Sequence, residues 1–363
     1  MKILLTGAHG FIGSRLLAAL LDAGHELVCP VRAVTARDLG MRGARFVPAD
    51  FRRMDRSADW APLLDGMQAA INTVGVFRDS ADNGYAAVHG AAPVALFNAA
   101  RQRGVRVIHF SALGADAGAA SEFHRSKRAA DDALRALDMP AHIVQPSLVY
   151  GPGGASAALF DRLALWPLLP LPGGGRQQIQ PVHVQDVVAG VSALLASPPD
   201  RVVTIAFCGP QALSLRDYLA ALRRGLGVDA RQRVIALPGG LARAAAQVGG
   251  QEAAGLFGQV EQDRAGFEQR QRRAAVGRGL VDDGGDAVVG RDGEELGLEL
   301  VAPADVDRVD VVGQAGFFEE QRDLVAVGRG PVIEIDHGGV LFVAPAAAAG
   351  RNAHDSGPPP AAP

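Results

Sequence analysis

The sequence predicts an α/β fold: a doubly wound parallel sheet with a small C-terminal capping lobe and a low-order tail. Three observations predict it. An apolar strand at 3–5, of the kind buried on both faces, runs into a glycine-rich turn. Strand and helix patterns then alternate over about the first 200 residues. Beyond about residue 250 the apolar periodicity is lost, and residues 358–363 are proline-rich.

The opening strand is followed by three glycines, Gly7, Gly10 and Gly13. Gly7 permits a tight turn, Gly10 lets the backbone approach a pyrophosphate, and Gly13 lets the next helix pack close to the strand. Amides at that helix N-terminus bind phosphate oxygens. The motif predicts a dinucleotide site of the Rossmann type, and the alternative is a glycine-rich turn that holds no ligand. The predicted cofactor site also includes the residues between these glycines, His9, Phe11 and Ile12.

The later elements follow from runs of apolar residues at strand or helix period. Since strands that alternate with helices form parallel sheets through right-handed crossovers, we expect the doubly wound Rossmann topology. Strands are predicted at 26–31, 45–49, 69–74, 105–110 and 142–145. Helices are predicted at 91–103, 126–137, 184–196 and 214–225.

The pattern divides the chain into three parts. Residues 1–150 form the NAD(P)-binding Rossmann domain. Residues 151–245 form a capping or substrate lobe that makes one unit with it and lies over the carboxyl ends of the strands. For residues 246–363 two hypotheses stand: a poorly ordered, linker-rich tail, and a frameshifted extension of a GC-rich gene.

Composition narrows the class of partner. With a formal net charge of -3 and 21% charged residues, the chain has no strong field that would favour nucleic acid, and we expect a small-molecule substrate. Cys29 and Cys208 make neither a disulfide framework nor a metal-ligand spacing, so no metal is expected. The first residues belong to a strand rather than to a signal peptide, which predicts a cytoplasmic location. The oligomeric state is left open.

One basic residue stands out because of its type. Of 36 Lys and Arg residues only Lys2 and Lys127 are lysines. In a chain that uses arginine almost throughout, the lysine at position 127 is a candidate functional residue.

The residue after the second strand indicates which cofactor binds. A Rossmann unit that binds NAD carries an acidic residue there, whereas this chain has Arg32 and no carboxylate before Asp38. Arginine suits a 2′-phosphate, so we favour NADP, with NAD as the other possibility. Arg37 could share this role, and the alternative is an ordinary loop arginine.

Further cofactor contacts are expected where strands three, four and six end. Asp50 is placed to meet the adenine edge or, equally, to cap a helix. Thr73 and Gly75 are small and leave room for the cofactor ribose. Pro146 and Val149 follow strand six and complete the predicted cofactor-binding set.

The motifs resemble one superfamily. TGAHGFIG at 6–13, PSLVYGPG at 146–153 and PVHVQDVV at 181–188 are similar to signatures of atypical and extended short-chain dehydrogenases/reductases. SALGAD at 111–116 and HRSKRAAD at 124–131 resemble the branch related to the nucleotide-binding accessory subunit of respiratory complex I. The resemblance covers residue 1 to about residue 245. It implies hydride transfer with a small carbonyl, enone or quinone-type substrate, and peripheral association with a membrane or quinone.

The resemblance also implies a catalytic pair. The superfamily uses a tyrosine four residues before a lysine: the tyrosine carries the proton, and the lysine lowers its pKa and binds the nicotinamide ribose. Lys127 fits the lysine, Phe123 stands where the tyrosine is expected, and Ser111 is the candidate for the serine partner. Three interpretations follow: catalysis with another acid such as Tyr150, a bound NADP with a structural or sensing role, and a lysine-based reaction that needs no tyrosine. For Tyr150 the preferred alternative is packing.

Other polar residues receive structural interpretations. His183 and Asp186 either shape the joint between lobe and sheet or cap a helix, and we favour the cap. His9 is expected to face solvent. The neighbours Asp131 and Asp132 are expected on a solvated helix face.

Overall fold

The structure is a computed structural model that describes residues 1–76, 84–119, 121–238, 332–335 and 340–344. Apart from the last two segments, the predicted tail 246–363 lies outside the described residues.

The helices are α1 Phe11–Asp22, α2 Ala36–Leu39, α3 Ser57–Leu64, α4 Ala92–Gln102, α5 Glu122–Arg135, α6 Ala155–Leu165, α7 Val184–Ala196 and α8 Leu215–Gly225. The strands are β1 Lys2–Thr6, β2 Glu26–Val31, β3 Ala44–Pro48, β4 Ala69–Asn72, β5 Arg106–Phe110, β6 Ala141–Pro146, β7 Val149–Tyr150, β8 Leu168–Pro172, β9 Gln178–Ile179, β10 Val182–His183, β11 Val202–Cys208, β12 Leu213–Ser214, β13 Arg233–Leu237, β14 Val332–Ile335 and β15 Val340–Ala344.

The main sheet confirms the predicted doubly wound topology. Its strands run in the order β3-β2-β1-β4-β5-β6-β11 and all of these pairings are parallel. β15 continues the sheet in parallel beside β11, and β14 pairs antiparallel with β15. The direction of strand succession reverses between β1 and β4, where open α/β sheets bind their ligands at the carboxyl ends of the strands.

Two apolar cores cover the faces of this sheet. On one face α1 and α7 pack together, and Leu16, Leu20 and Val187 are buried with the apolar residues of β1. On the other face α3, α4 and α5 bury Trp60 and Phe97. Because both faces are covered, the central strands are apolar at successive positions and do not alternate between apolar and polar residues.

Residues 151–238 form the lobe and also return to the sheet. α6, α8 and the small pairs β8–β13 and β9–β12 enclose a separate core around Phe160, Leu169 and Leu219. The same stretch supplies β11 and α7 to the main unit. β11 lies in a segment to which the sequence interpretation gave no strand, and it pairs with β6.

Element boundaries differ from the predicted ones by a few residues. β2 and α7 have the predicted bounds. α5 begins four residues earlier than predicted because the Ser121 hydroxyl caps it by accepting from the His124 amide.

Candidate functional site

The glycine turn is shaped by close approaches that only glycine allows. Gly7 has φ +75°, and a Cβ on it would lie 2.5 Å from Thr73 Oγ1 at the end of β4. A Cβ on Gly13 would overlap the carbonyl oxygen of Gly7. Gly10 caps α1 without a side chain, and its amide donates to the Gly7 oxygen at 2.8 Å. The turn therefore sets α1 with its N-terminal amides at the switch point of the sheet.

The start of α1 is fixed against the lobe. The Arg15 guanidinium lies 4.4 Å from the centre of the Phe11 ring and donates to the carbonyl oxygens of Phe11 and Pro152. A Cβ on Gly154 would meet the Phe11 ring at 3.0 Å. One wall of the predicted cofactor groove is thus held jointly by the sheet unit and by the lobe.

The carboxyl ends of β2 and β3 carry the residues predicted to choose the cofactor. Arg32 is exposed directly after β2. Asp38 is buried and accepts hydrogen bonds from the Thr35 amide and hydroxyl, at 2.7 and 2.9 Å. His9 Nε2 lies 3.0 Å from the same carboxylate, so His9 is not a purely solvent-facing loop residue. The nearest carboxylate after β2 is therefore already engaged.

Asp50 follows the helix-capping alternative, as the N-cap of a short 3-10 helix, Phe51–Arg53. Its carboxylate accepts from the Arg52 amide and pairs with the Arg52 guanidinium, with oxygen–nitrogen distances of 2.9 and 2.8 Å. The hydrogen bond from the Arg52 side chain lowers the pKa of Asp50 to about 2. A contact between Asp50 and adenine stays a prediction.

Lys127 lies at the end of the sheet beside the glycine turn. Its Nζ donates to the backbone oxygens of Phe110 at 3.0 Å and Val74 at 3.3 Å, where β5 and β4 end. A Cβ on Gly75 would lie 3.2 Å from this nitrogen, so the glycine keeps the approach to it open. Burial lowers the pKa of Lys127 to about 8, against an opposing effect of the Asp131 charge. Lys127 is therefore a protonated, nearly buried donor at neutral pH.

Phe123 lies on α5 one turn before Lys127, within an aromatic cluster. Its ring makes edge-to-face contacts with Tyr85 at 6.1 Å and with His89 at 5.4 Å between ring centres. His89 is buried, accepts from the Val76 amide through Nε2 and contacts the Ser126 hydroxyl through Nδ1. Burial lowers the pKa of His89 to about 2, so it stays neutral. The sequence interpretation missed this cluster, because Tyr85 and His89 stand in a stretch without a recognisable motif.

Ser111 faces the interior. Its hydroxyl donates at 2.7 Å to Asp131 Oδ2, which also accepts from Gln145 at 3.1 Å. Asp131 is fully buried, so the expectation of a solvated Asp131 is wrong, whereas Asp132 is half exposed and pairs with arginines. The structure thus engages Ser111 with Asp131, and a catalytic role for Ser111 stays a prediction.

A chain of buried polar groups continues behind the site. The Thr6 hydroxyl donates to Asn72 Oδ1 at 2.7 Å, which leaves Asn72 Nδ2 to donate to His109 Nδ1 at 3.1 Å. His109 then carries its proton on Nε2, 3.6 Å from Asp131 Oδ1. These two atoms have no hydrogen-bond partner among the described residues and face each other. The network couples the ends of β1, β4 and β5 to α5.

The network yields a prediction on pH and stability. Burial raises the pKa of Asp131 to about 6. A carboxyl with a raised pKa in the folded state costs stability above that pKa, on the order of 3 kcal/mol, and costs none below its unfolded value. We expect Asp131→Asn to remove this cost, so the variant gains stability relative to the wild type as the pH rises from 4 to 7.

The measurement is denaturant unfolding of both proteins at several pH values. The slope with pH is the readout, because the Asn amide also meets His109 and shifts the absolute stability. A constant difference between the two proteins across this range would show that Asp131 is ionised throughout.

The end of β6 and the joint to the lobe hold the remaining predicted residues. The Pro146 oxygen accepts from the Leu113 amide at 3.0 Å, and Val149 pairs with β10. Tyr150 packs against His183 and Tyr218, and burial raises its pKa to about 12. His183 is the N-cap of α7, as the favoured interpretation predicts. Tyr150 therefore has the contacts of a packing residue.

The described residues contain no cluster of three or more side chains able to hold a metal ion. Within the same residues, no helix is both long and apolar enough to cross a bilayer.

Comparison with protein families shows which family the chain belongs to. Residues 3–206 match the model of the NAD dependent epimerase/dehydratase family. The match spans more than half of the chain, so the chain belongs to this family of extended short-chain dehydrogenases/reductases with an NAD(P)-binding Rossmann fold.

Three curated relatives show what the chain is similar to. A ceramide reductase from Caulobacter vibrioides is 30% identical over 241 residues, which cover 65% of this chain and 73% of that protein. The mitochondrial NADH dehydrogenase (ubiquinone) 1 alpha subcomplex subunit 9 of Dictyostelium discoideum is 26% identical, over 59% of this chain and 60% of that protein. Its Arabidopsis thaliana counterpart is 30% identical, over 52% and 48%. The chain therefore spans about half to three fifths of these two subunits.

Solved structures share the fold. MoeE5 in complex with UDP-glucose and NAD has a TM-score of 0.54 at 20% identity, covering 74% of this chain and all of that one. UDP-glucuronic acid 4-epimerase from Bacillus cereus has a TM-score of 0.53 at 20% identity, covering 73% and 99%. At these identities the likeness establishes the fold alone.

Proposed function

We propose that the protein is an NADP-dependent oxidoreductase that transfers hydride to or from a small carbonyl, enone or quinone-type substrate. The observation that carries this proposal is Lys127, whose buried ammonium lies at the ends of β4 and β5 beside Gly75. In that position it can bind the nicotinamide ribose while the amides at the start of α1 bind the pyrophosphate. The same proposal includes a cytoplasmic location for this protein and its peripheral association with a membrane.

The residues present fit three parts of the cofactor: the pyrophosphate, a ribose and a 2′-phosphate. Gly7, Gly10 and Gly13 supply the close backbone approach, Thr73 and Gly75 the space for a ribose, and Arg32 an exposed cation for a 2′-phosphate. The cofactor supplies the hydride. Lys127 orients the ribose and places a positive charge beside the reacting carbonyl.

If a phenol supplies the proton, it must come from a residue other than Phe123, which has no hydroxyl. We propose Tyr85 for this role, since its ring contacts Phe123 edge to face. Tyr150 is less suited, because it packs between His183 and Tyr218 and burial raises its pKa. The lysine-based reaction without a tyrosine is the variant of this proposal in which Tyr85 is dispensable.

A second candidate function is a non-catalytic NADP-binding accessory, assembly or sensing protein. Two features support it: phenylalanine stands at position 123, where the superfamily resemblance implies a proton-carrying tyrosine, and the Ser111 hydroxyl donates to Asp131. The similarity to subunits named for NADH dehydrogenase is compatible with this role.

Titration of the purified chain with NADPH and NADH, followed by absorbance at the nicotinamide band over time, separates the two functions. Loss of NADPH that depends on a carbonyl or quinone supports the oxidoreductase. Tight binding without loss across the whole substrate panel supports the accessory role. Absence of binding would contradict both.

The choice of cofactor gives a further prediction. Replacing Arg32 with aspartate removes the cation expected at the 2′-phosphate and introduces the carboxylate that NAD-binding Rossmann units use for ribose hydroxyls. We expect the ratio of NADPH to NADH affinity to fall by at least about tenfold, since a charge-assisted hydrogen bond contributes roughly 1.5–3 kcal/mol.

Binding of both nucleotides is measured by fluorescence titration. Arg201→Asp is the matched control. Arg201 is also exposed but does not follow β2, so this substitution changes the net charge by the same amount at a different place. An unchanged ratio of NADPH to NADH affinity in the Arg32 variant would show that Arg32 does not contact the 2′-phosphate.

A further inference from the structure

The lobe exposes four consecutive apolar residues between α6 and β8. Leu165 is 49% exposed, Trp166 52% and Leu168 50%, and Pro167 between them is exposed as well. Runs of three or four exposed apolar residues are uncommon in soluble domains unless they serve a function. On β13, the strand that pairs with β8, Ile235 is 45% exposed and extends this surface. We call Leu165, Trp166, Pro167, Leu168 and Ile235 the apolar edge.

The apolar edge is built on a well-bonded support. The buried Arg223 side chain donates to the Ala164 oxygen at 2.7 Å, and the Gln232 amide donates to the Trp166 oxygen at 2.8 Å. The Arg233 amide donates to Pro167, and β13 runs parallel to β8. These bonds satisfy the carbonyl groups at the end of α6. The backbone is thereby fixed and the apolar side chains stay outside the lobe core.

Positive charge surrounds this surface. Arg162 lies one helical turn before Leu165 and Trp166. Arg231 lies in the loop before β13, and Arg233 is the first residue of β13, where it pairs with Leu168. All three arginines are exposed. Two carboxylates belong to the same segments: the exposed Asp229 before Arg231, and the partly exposed Asp161 one turn before Leu165. The balance around the apolar edge is therefore cationic, in a chain whose formal net charge is -3.

We propose that the apolar edge docks the protein on an anionic phospholipid bilayer. Leucine and isoleucine side chains enter the acyl boundary, tryptophan prefers the headgroup level, and arginines bind the anionic headgroups. A second copy of the chain is a poorer occupant. A twofold interface places the same patch against itself and would oppose the arginines to one another.

This proposal deepens the peripheral membrane association in the proposed function by naming its surface and lipid. The lobe that carries the apolar edge also touches the start of α1 through Arg15. Docking would therefore bring the unit that contains the cofactor site to the membrane surface. Docking itself needs no turnover, so it is tested independently of the reaction.

Intrinsic fluorescence tests the docking directly. The chain has two tryptophans, and Trp60 is fully buried in the core. Vesicles of phosphatidylglycerol with brominated acyl chains are expected to quench Trp166 and to leave Trp60 emission in place. Vesicles of brominated phosphatidylcholine are expected to bind and quench at least about tenfold more weakly, because roughly fivefold is lost for each arginine that has no anionic headgroup.

Two variants and a control locate the surface. Leu165→Ser combined with Leu168→Ser keeps the Trp166 reporter and is expected to weaken binding to phosphatidylglycerol vesicles at least about tenfold. Arg231→Gln combined with Arg233→Gln is expected to weaken it by a similar factor and to reduce its salt dependence. Leu39→Ser, at a leucine that is 81% exposed on α2, is the matched control and should bind as the wild type does.

Several outcomes would overturn the proposal: no quenching, equal quenching by both lipids, or the same loss in the Leu39 variant. Light scattering that shows a dimer lost in the double serine variant, without vesicle binding, would assign the surface to a second copy instead. NADPH titration of the same samples reports separately on the cofactor site. A failure of docking is thereby distinguished from a failure of the proposed function.

Discussion

The Gly10→Asp variant is expected to bind NADPH at least about a hundredfold more weakly than the wild type, a loss of roughly 2.7 kcal/mol. Gly10 is the N-cap of α1 and has φ −77°, which any residue adopts. An aspartate there is a good cap and interacts favourably with the helix dipole, so the fold and its stability are kept. Its carboxylate, however, occupies the anion position that the helix amides offer to the pyrophosphate.

The Gly10→Ala variant separates charge from size. A Cβ at this position would lie 3.1 Å from the Gly7 oxygen, a tight contact that a shift of a few tenths of an ångström relieves. We expect the alanine variant to retain most of the affinity. Calorimetric titration together with thermal unfolding of both variants gives the comparison. Unimpaired NADPH binding in the aspartate variant would show that the pyrophosphate does not bind at this turn.

The fold and the cofactor end of the site could be predicted because their signals are local. A strand buried on both faces must be apolar throughout, and Gly7 and Gly13 stand where any Cβ would collide. Lys127 could be singled out because lysine is rare in this chain. Each of these features depends on residue type and spacing along the sequence, which a single sequence shows.

The interior of the site could not be predicted because it depends on tertiary packing. Asp131 and Asp132 are neighbours of identical type, yet consecutive residues on a helix point about 100° apart. One carboxylate is consequently buried against Ser111 and the other half exposed. Buried carboxylates require partners, and those partners come from other strands and helices. Tyr85 could not be predicted as a site residue for the same reason, because only its tertiary contact with Phe123 places it at the site.

The position of Phe123 leads to the prediction with the largest expected gain. In the Phe123→Tyr variant a hydroxyl is added on the helix face that Lys127 shares one turn later. Since burial lowers the pKa of Lys127 only to about 8, its ammonium persists at neutral pH and would favour the developing phenolate. A positioned general acid contributes roughly 10²–10⁴-fold in all. Because Tyr85 is proposed to supply part of this contribution in the wild type, we expect NADPH consumption with a carbonyl substrate to rise by about tenfold to a hundredfold, only part of that effect.

Two controls decide what the gain means. Phe51→Tyr adds the same hydroxyl to a ring on a different element, where it packs on Trp60, and should leave the rate unchanged. Tyr85→Phe in the wild-type background should lower the rate of NADPH consumption if Tyr85 supplies the proton. In the Phe123→Tyr background the same substitution should lower the rate by a much smaller factor, because the hydroxyl added at position 123 then supplies the proton. Because the gain depends on a protonated Lys127, it should decline above about pH 8. If the Phe123 variant binds NADPH but turns over no faster, the missing phenol is not what limits this site, and the accessory function is favoured.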